Sequence, residues 1–204
     1  MQRDAVYHLT SLVLILIGGL VHLDFRRRES RARGELLHME STVTKELRRL
    51  AIMVSVLAVL LHTLRPQLLA WGEFPLLPPV RWMGAAITSA GIIGVFAAER
   101  ALLRSSVPMV QPGSSQSPLV VGLLVTTGPY TVIRHPIYMS FALMAGGIAL
   151  LSASSILAVL GAAITAHLLL VLAPAEEVQL ADLYAAEWSA YSNHIPRFLP
   201  TFHA

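Results

Sequence analysis

Five long apolar segments constrain the fold of this chain more than any other feature. They cover Val6–Leu23, Leu50–Trp71, Val80–Ala98, Ile137–Leu151 and Ile156–Ala173. A helix needs about 20 apolar residues to cross the hydrocarbon core of a bilayer. Only 13% of the 204 residues are charged, whereas a soluble domain carries about 25%. The sequence therefore predicts an all-α, multi-pass integral membrane bundle of about five transmembrane helices with a C-terminal helical segment.

The connections between these segments predict how the spans are joined. Only the four residues 152–155 separate the last two segments, which predicts a tight antiparallel hairpin. The first segment lacks a basic start and a small-residue cleavage site, so we expect a span there and not a cleaved signal peptide. We divide the chain into an N-terminal three-span region, 1–118, and a C-terminal region, 119–204, with a flexible loop at 105–118.

The basic residues predict the orientation of the bundle. Eight of them lie between the first two spans: Arg26, Arg27, Arg28, Arg31, Arg33, Lys45, Arg48 and Arg49. Because positive loops stay on the cytoplasmic side, we expect the N-terminus outside and the C-terminal segment cytoplasmic. Residues 24–49 are then best explained as a surface helix that contacts membrane lipids, with a binding site as the alternative. The net charge of +3 is too localised to indicate a nucleic-acid partner.

Residues 128–138, with the sequence Gly-Pro-Tyr-Thr-Val-Ile-Arg-His-Pro-Ile-Tyr, are unusually polar for the entrance to a span. The Gly128-Pro129 pair predicts a tight turn. Pro136 suits the first position of a helix, where its missing N–H removes no hydrogen bond. His135 and Arg134 would then lie at membrane-surface depth. A bland explanation is also open, in which His135 caps the helix, Arg134 is an anchor and the tyrosines form an interfacial belt.

The tail after Pro174 carries acidic residues on a predicted helix. At about 100° per residue, one apolar stripe contains Leu180, Leu183, Tyr184, Trp188 and Tyr191. Glu176 and Glu187 fall inside this stripe, and Glu177 lies at its edge. The first-turn acids could simply complement the helix dipole. Alternatively, the stripe lines a polar cavity in which Glu176 binds a ligand, and the periodicity does not separate these two explanations.

The order of these motifs resembles the isoprenylcysteine carboxyl methyltransferase family, a group of integral membrane methyltransferases related to phospholipid methyltransferases. The resemblance covers about 119–200 and rests on three motifs in order. They are Gly128-Pro129-Tyr130 with Arg134-His135-Pro136-Ile137-Tyr138, then Glu176-Glu177-x-x-Leu180, then Pro196-Arg197-Phe198-Leu199-Pro200.

The resemblance implies S-adenosylmethionine as the methyl donor, in a cytoplasm-facing pocket that the C-terminal segment closes. It implies that Arg134 and Tyr138 act in catalysis. The cofactor-binding residues that it implies, the first four in a strand-like lead-in, are Gly122, Leu123, Leu124, Val125, Tyr130, His135, Pro136, Ile137, Tyr138 and Glu176. Methyl transfer requires no metal, and no sequence cluster resembles a metal site. No obligate protein partner is implied.

The acceptor is expected to be a lipophilic or membrane-embedded molecule, such as a prenylcysteine-type carboxylate or a phospholipid amine. Leu172 stands where the carboxyl methyltransferases have a substrate-binding arginine, so a different acceptor from prenylcysteine is favoured. One alternative is a membrane sterol-type reductase that uses a nicotinamide dinucleotide, although Ile137 replaces the Asn expected there. The other is a small-molecule transporter, which Arg65-Pro66 mildly favours. His22, His62 and His167 lie within spans and are left off the site.

Overall fold

The computed structural model describes residues 2–33, 53–54, 56–105 and 124–200. Within these ranges the chain is helical and contains no strand, which confirms the predicted all-α class. The helices are α1 (Gln2–Arg33), α2 (56–64), α3 (Pro66–Leu69), α4 (Pro78–Ser105), α5 (Pro136–Ser152), α6 (Ser155–His167) and α7 (Ala173–His194). Short 3-10 turns cover Ala70–Gly72 and Gly128–Thr131, and a π-helical turn, Leu168–Leu172, joins α6 to α7.

In the part of the chain that the structure describes, three helical stretches are long and apolar enough to cross a membrane, by length and composition. They are Asp4–Asp24, Pro78–Arg104 and Ser155–His194, and they contain the first, third and fifth predicted spans. The fourth, α5, is apolar but has 17 residues. The predicted second span, Leu50–Trp71, lies partly outside the described residues. Its described part is interrupted at Arg65, whose φ of −139° and ψ of 60° are not helical, because the following Pro66 disfavours the α conformation before it.

Small residues allow α4 and α5 to approach at backbone distance. A Cβ atom added to Gly84 would lie 2.6 Å from the carbonyl oxygen of Gly147, and one added to Gly147 would lie 2.6 Å from the carbonyl oxygen of Gly84. Gly91 meets the Ser140 carbonyl oxygen at 2.7 Å in the same way. Lipid tails supply no hydrophobic driving force between helices, so close packing of this kind stabilises membrane bundles. The stripe of small residues in α4 is therefore the contact surface for α5.

A two-residue turn reverses the chain between α5 and α6, which confirms the predicted hairpin. Ala153 adopts the left-handed conformation, with φ 53° and ψ 42°, and its N–H donates to the carbonyl oxygens of Ala149 and Leu150. The Ser154 side chain then caps α6 by accepting from the Leu157 N–H. Because the two helices are antiparallel, the end of α6 returns to the level at which α5 begins. This return brings α7 next to the segment that precedes α5.

The bundle has two chemically different ends. At the end that we call the site end, His22 of α1 pairs with Glu99 of α4 at 2.8 Å, and Tyr130 packs against Ala98 and Ala101. At the opposite end, Arg81 pairs with Asp4 and donates to the Leu151 carbonyl oxygen. The described part of the predicted surface helix 24–49 continues α1 to Arg33. The rest of that region and most of the loop 105–118 lie outside the described residues, and the division at 118 stays a prediction.

Replacing Gly147 by alanine should destabilise the fold, and replacing its neighbour Gly146 should not. The Cβ at 147 would meet the α4 backbone at 2.6 Å, whereas nothing lies within 4 Å of a Cβ at 146. Overpacking of this kind costs about 1–3 kcal/mol, while alanine gains up to about 1 kcal/mol over glycine in a helix. We expect a lower unfolding temperature in detergent for G147A and an equal or higher one for G146A. Equal behaviour of the two variants would contradict the close α4–α5 contact.

Candidate active site

The polar segment before α5 is shaped by its glycine and prolines. Gly128 has a φ of +63°, a conformation that favours glycine, and it begins the 3-10 turn with Pro129 at its start. The turn buries Tyr130 against α4. Pro136 is the first residue of α5, as predicted. His135 precedes it at the capping position, but its side chain makes no capping hydrogen bond. The simple explanation of His135 as a helix cap is therefore wrong.

The carboxylate of Glu177 binds His135 and two arginines. Its Oε1 lies 2.9 Å from His135 Nε2 and 3.1 Å from Arg134 Nη1. Arg197 donates through Nε to Oε1 at 2.9 Å and through Nη2 to Oε2. Glu177 is only 8% exposed. We call these four residues the Glu177 cluster. The hydrogen bond to Glu177 raises the pKa of Arg197 above its usual value, so the guanidinium stays charged at any physiological pH.

The segment that follows α7 is fastened across the polar segment. The backbone N–H groups of Arg134 and His135 donate to the carbonyl oxygens of Pro196 and Arg197, at 2.9 and 3.2 Å. The Tyr191 hydroxyl donates to the Tyr130 carbonyl oxygen at 2.8 Å. Together with the Glu177 cluster, these bonds hold residues from α7 onward against the entrance of α5.

Aromatic rings surround the Glu177 cluster. The ring of His135 lies parallel to that of Tyr138, with centroids 5.4 Å apart, and Phe198 covers it at 5.7 Å. The guanidinium of Arg134 lies 5.7 Å from the centre of the buried Trp188 ring. Trp188 also contacts Tyr191, at 5.8 Å. These flat side chains keep water away from the ion pairs, and an ion pair is stronger where water is excluded.

The structure reverses the predicted order of burial of the two adjacent glutamates. Glu177 is buried, while the Glu176 side chain is 36% exposed and has its Oε2 at 3.4 Å from His135 Nδ1. The inward face of α7 contains Leu180, Tyr184 and Trp188, as predicted, and it includes Glu177 in place of Glu176. Glu187, which the prediction placed inside the stripe, is exposed. The prediction also counted Leu183 as a core residue, whereas Leu183 is 60% exposed. An exposed leucine is common on protein surfaces.

The other residues implied by the family resemblance lie close to this cluster or outside the described ranges. Pro136 is buried at the start of α5, next to the partly exposed Ile137 and Tyr138. Leu124 and Val125 have no regular secondary structure, so the described part of the lead-in is not a strand. Gly122 and Leu123 lie outside the described residues. The cofactor-binding and catalytic roles of all these residues stay predictions.

Two residues of the cluster, Glu177 and Arg197, were missing from the predicted site. Both stand in motifs that the sequence displays, the Glu-Glu pair and the terminal Pro-Arg-Phe-Leu-Pro. An acid in one motif and an arginine in the next could have suggested an ion pair between Glu177 and Arg197. Their chain separation of 20 residues hid the contact.

Glu177→Gln should loosen the C-terminal segment. The change removes the negative charge that Arg134 and Arg197 share, and unpairing buried charges costs several kcal/mol. Because Arg197 is 42% exposed, we expect a smaller loss, of about 2 kcal/mol. Trypsin cleavage at Arg197 should be faster, and the unfolding temperature lower. The control is Glu187→Gln on the exposed face of α7; if both variants resist trypsin equally, the cluster does not fasten the tail.

A comparison with family models connects this geometry to known proteins. The model of the phospholipid methyltransferase family matches residues 80–187, just over half of the chain. The matched range contains α4, the polar segment, α5, α6 and most of α7 with both glutamates. A comparison with curated proteins found no match. The match confirms the group of membrane methyltransferases that the motifs indicated. The chain therefore belongs to the phospholipid methyltransferase family, and its general class is that of the membrane methyltransferases.

Proposed function

We propose that this protein transfers the methyl group of S-adenosylmethionine to a lipophilic acceptor in the membrane, with a phospholipid amine as the first acceptor to consider. The observation that carries the proposal is the difference in environment between two adjacent carboxylates. Glu177 is committed to His135 and two arginines, whereas Glu176 is partly exposed beside the same histidine. One acid thus builds the site, and the other is available to a ligand.

The groups around Glu176 fit the chemistry of S-adenosylmethionine. This molecule has an ammonium group, a carboxylate, ribose hydroxyls, an adenine ring and a cationic sulfonium, which supplies the methyl group. Glu176 suits the ammonium or hydroxyl groups. The start of α5 and Arg134 suit the carboxylate, since helix N-termini and guanidinium groups attract anions. Nε of Arg134 is buried and has no hydrogen-bond partner among the described residues, so a donor is available there.

The aromatic side chains fit the rest of the donor molecule. The parallel rings of His135 and Tyr138 provide a flat surface of the kind on which a heterocycle stacks. Because the donor carries its own electrophile, the protein mainly has to align donor and acceptor and exclude water. The tail that covers His135 through Phe198 suits the second task. Arg134 and Tyr138 are the residues proposed to face the reacting groups.

The exterior of α7 supports access of the acceptor from the bilayer. Val178 and Leu183 are 63% and 60% exposed, although they follow the span. Apolar side chains at this level of the helix suit contact with lipid. Leu172, where an arginine would bind a prenylcysteine carboxylate, is buried and offers no charge. This supports an acceptor other than prenylcysteine.

The distribution of basic residues supports a cytoplasmic position for the site end. Arg100 and Arg104 are exposed at that end of α4, and Arg27 is exposed near the same end of α1. At the opposite end, Arg81 is buried and paired with Asp4. By the positive-inside rule, we propose that the site end faces the cytoplasm and that the N-terminus lies outside.

Glu176→Gln should weaken binding of S-adenosylmethionine by about tenfold or more. The change removes a charge-assisted hydrogen bond, which contributes about 1.5–3 kcal/mol. Titration calorimetry of the detergent-purified protein, with the cofactor and with its demethylated product, measures the effect. The control is Asp182→Asn on the exposed face of α7, which should bind as the wild type does. Absence of binding to the folded wild type would refute the proposed donor.

The acceptor is tested in vesicles that contain phosphatidylethanolamine, with the purified protein and methyl-labelled donor. We expect label in the phospholipid head group and none in an added prenylcysteine analogue, because Leu172 leaves no cation for a prenylcysteine carboxylate. Extraction and chromatography of the lipids separate the two products. Label in the prenylcysteine analogue, or in neither molecule while the donor binds, would contradict a phospholipid acceptor.

A further inference from the structure

Two histidines and a glutamate meet at the opposite end of the bundle, away from the Glu177 cluster. They are His8 of α1, His62 of α2 and Glu73, which follows the 3-10 turn Ala70–Gly72. One ligand atom from each residue lies within 4.8 Å of the other two. Three separate parts of the chain thus direct nitrogen and oxygen donors to one point.

His62 has buried polar atoms without partners. It is 1% exposed, and neither of its ring nitrogens has a hydrogen-bond partner among the described residues. His8 is 4% exposed, with its ring centroid 4.1 Å from that of His62. Burying a polar group without a hydrogen bond costs free energy, so such groups are rare in folded proteins. A bound ligand at this point would satisfy the imidazole.

The backbone that carries these residues is fastened in place. The Phe74 N–H donates to the Ala153 carbonyl oxygen at 3.0 Å, and the Ser155 hydroxyl donates to the Gly72 carbonyl oxygen at 2.9 Å. These bonds fix the segment around Glu73 on the α5–α6 hairpin. The Thr63 hydroxyl donates to the Val59 carbonyl oxygen at 2.8 Å and lies 3.4 Å from the His8 carbonyl oxygen, so α2 and α1 are in contact at this level. The donors are therefore brought together by contacts that do not involve their own side chains.

Charges of both signs surround the three donors. Arg81 is buried nearby, but its Nη1 pairs with Asp4 at 2.8 Å, and its guanidinium lies 3.8 Å from the centre of the Tyr7 ring. Asp4 offsets part of the charge of Arg81, and Glu73 contributes a further negative charge next to the histidines. Glu73 is exposed, so it is the donor of the three that water reaches directly.

We propose that His8, His62 and Glu73 bind a divalent transition-metal ion, for which Zn²⁺ is the best match. Two imidazoles and one carboxylate form a common zinc donor set, and a water molecule completes the tetrahedron. In such a site the ligand atoms lie about 3.3 Å apart, given metal–ligand bonds of about 2.0–2.1 Å. Binding would bring the three ligand atoms, which lie within 4.8 Å of one another, to that spacing. This site is independent of the proposed methyl-transfer activity.

The test is a zinc titration of the full-length protein in detergent after removal of metal with a chelator. Calorimetry should give one Zn²⁺ per chain with a micromolar or tighter dissociation constant. His62→Gln and Glu73→Gln should each weaken binding at least tenfold. The matched control is His167→Gln, because His167 also has a buried ring nitrogen without a partner among the described residues but stands in α6. It should bind zinc as the wild type does.

A second measurement separates loss of the site from loss of the fold. Since Glu73 is exposed, Glu73→Gln should unfold at the wild-type temperature in the absence of metal. Zinc should raise the unfolding temperature of the wild type and not that of Glu73→Gln, because a ligand stabilises only a protein that binds it. Binding that survives both substitutions, binding that His167→Gln weakens equally, or no binding to the wild type would overturn the proposal.

Discussion

The carboxylate of Glu177 joins three parts of the chain at one point, namely α7, the entrance of α5 and the segment beyond α7. It pairs with Arg134 and His135 at the entrance of α5 and with Arg197 beyond the end of α7. Aromatic rings shield these bonds from water, and electrostatic attraction is stronger in such surroundings. A burial this deep is tolerable for a carboxylate only because every partner is cationic or a hydrogen-bond donor. The neighbouring Glu176 lies beside His135 but stays partly exposed.

The Glu177 cluster depends in turn on the crossing of α4 and α5. The two backbones touch through Gly84, Gly91 and Gly147, which fixes where α5 begins. Tyr130 lies against α4 at the site end of this crossing, so the polar segment is held by α4 as well as by the tail. The matched family range, 80–187, begins in the first turns of α4 and ends within α7. The matched range therefore contains Arg134, His135 and Glu177, while Tyr191, Arg197 and Phe198 lie beyond its end.

Local sequence signals predicted much of the fold. Contacts between residues that lie far apart in the chain could not be predicted from those signals. The apolar segments, the hairpin and the start of α5 at Pro136 follow from hydrophobic runs, a short polar turn and proline geometry, all of which act within a few residues. Which side chains of α7 are buried depends on what covers each face of the helix. Periodicity alone therefore counted the exposed Leu183 as a core residue and left the buried Glu177 at the edge of the stripe. The meeting of His8, His62 and Glu73 depends on the packing of separate helices. No sequence spacing indicated that these three residues meet, and the sequence predicted no metal site.

The helical stretch from Ser155 to His194 has 40 residues, which corresponds to about 60 Å at 1.5 Å per residue. The hydrocarbon core of a bilayer is about 30 Å thick. Glu176 and Glu177 come 21 and 22 residues after Ser155, so the helix before them is about as long as the core is thick. Beyond them the helix kinks at Ala185, whose φ of 38° and ψ of −103° are not helical. Tilting the part of the helix that precedes the two glutamates, to match a thinner bilayer, would also change the height of their carboxylates above the lipid surface. The length of the lipid acyl chains sets the thickness of the bilayer, and through the tilt of this helix it would also set the position of the site relative to the lipid surface.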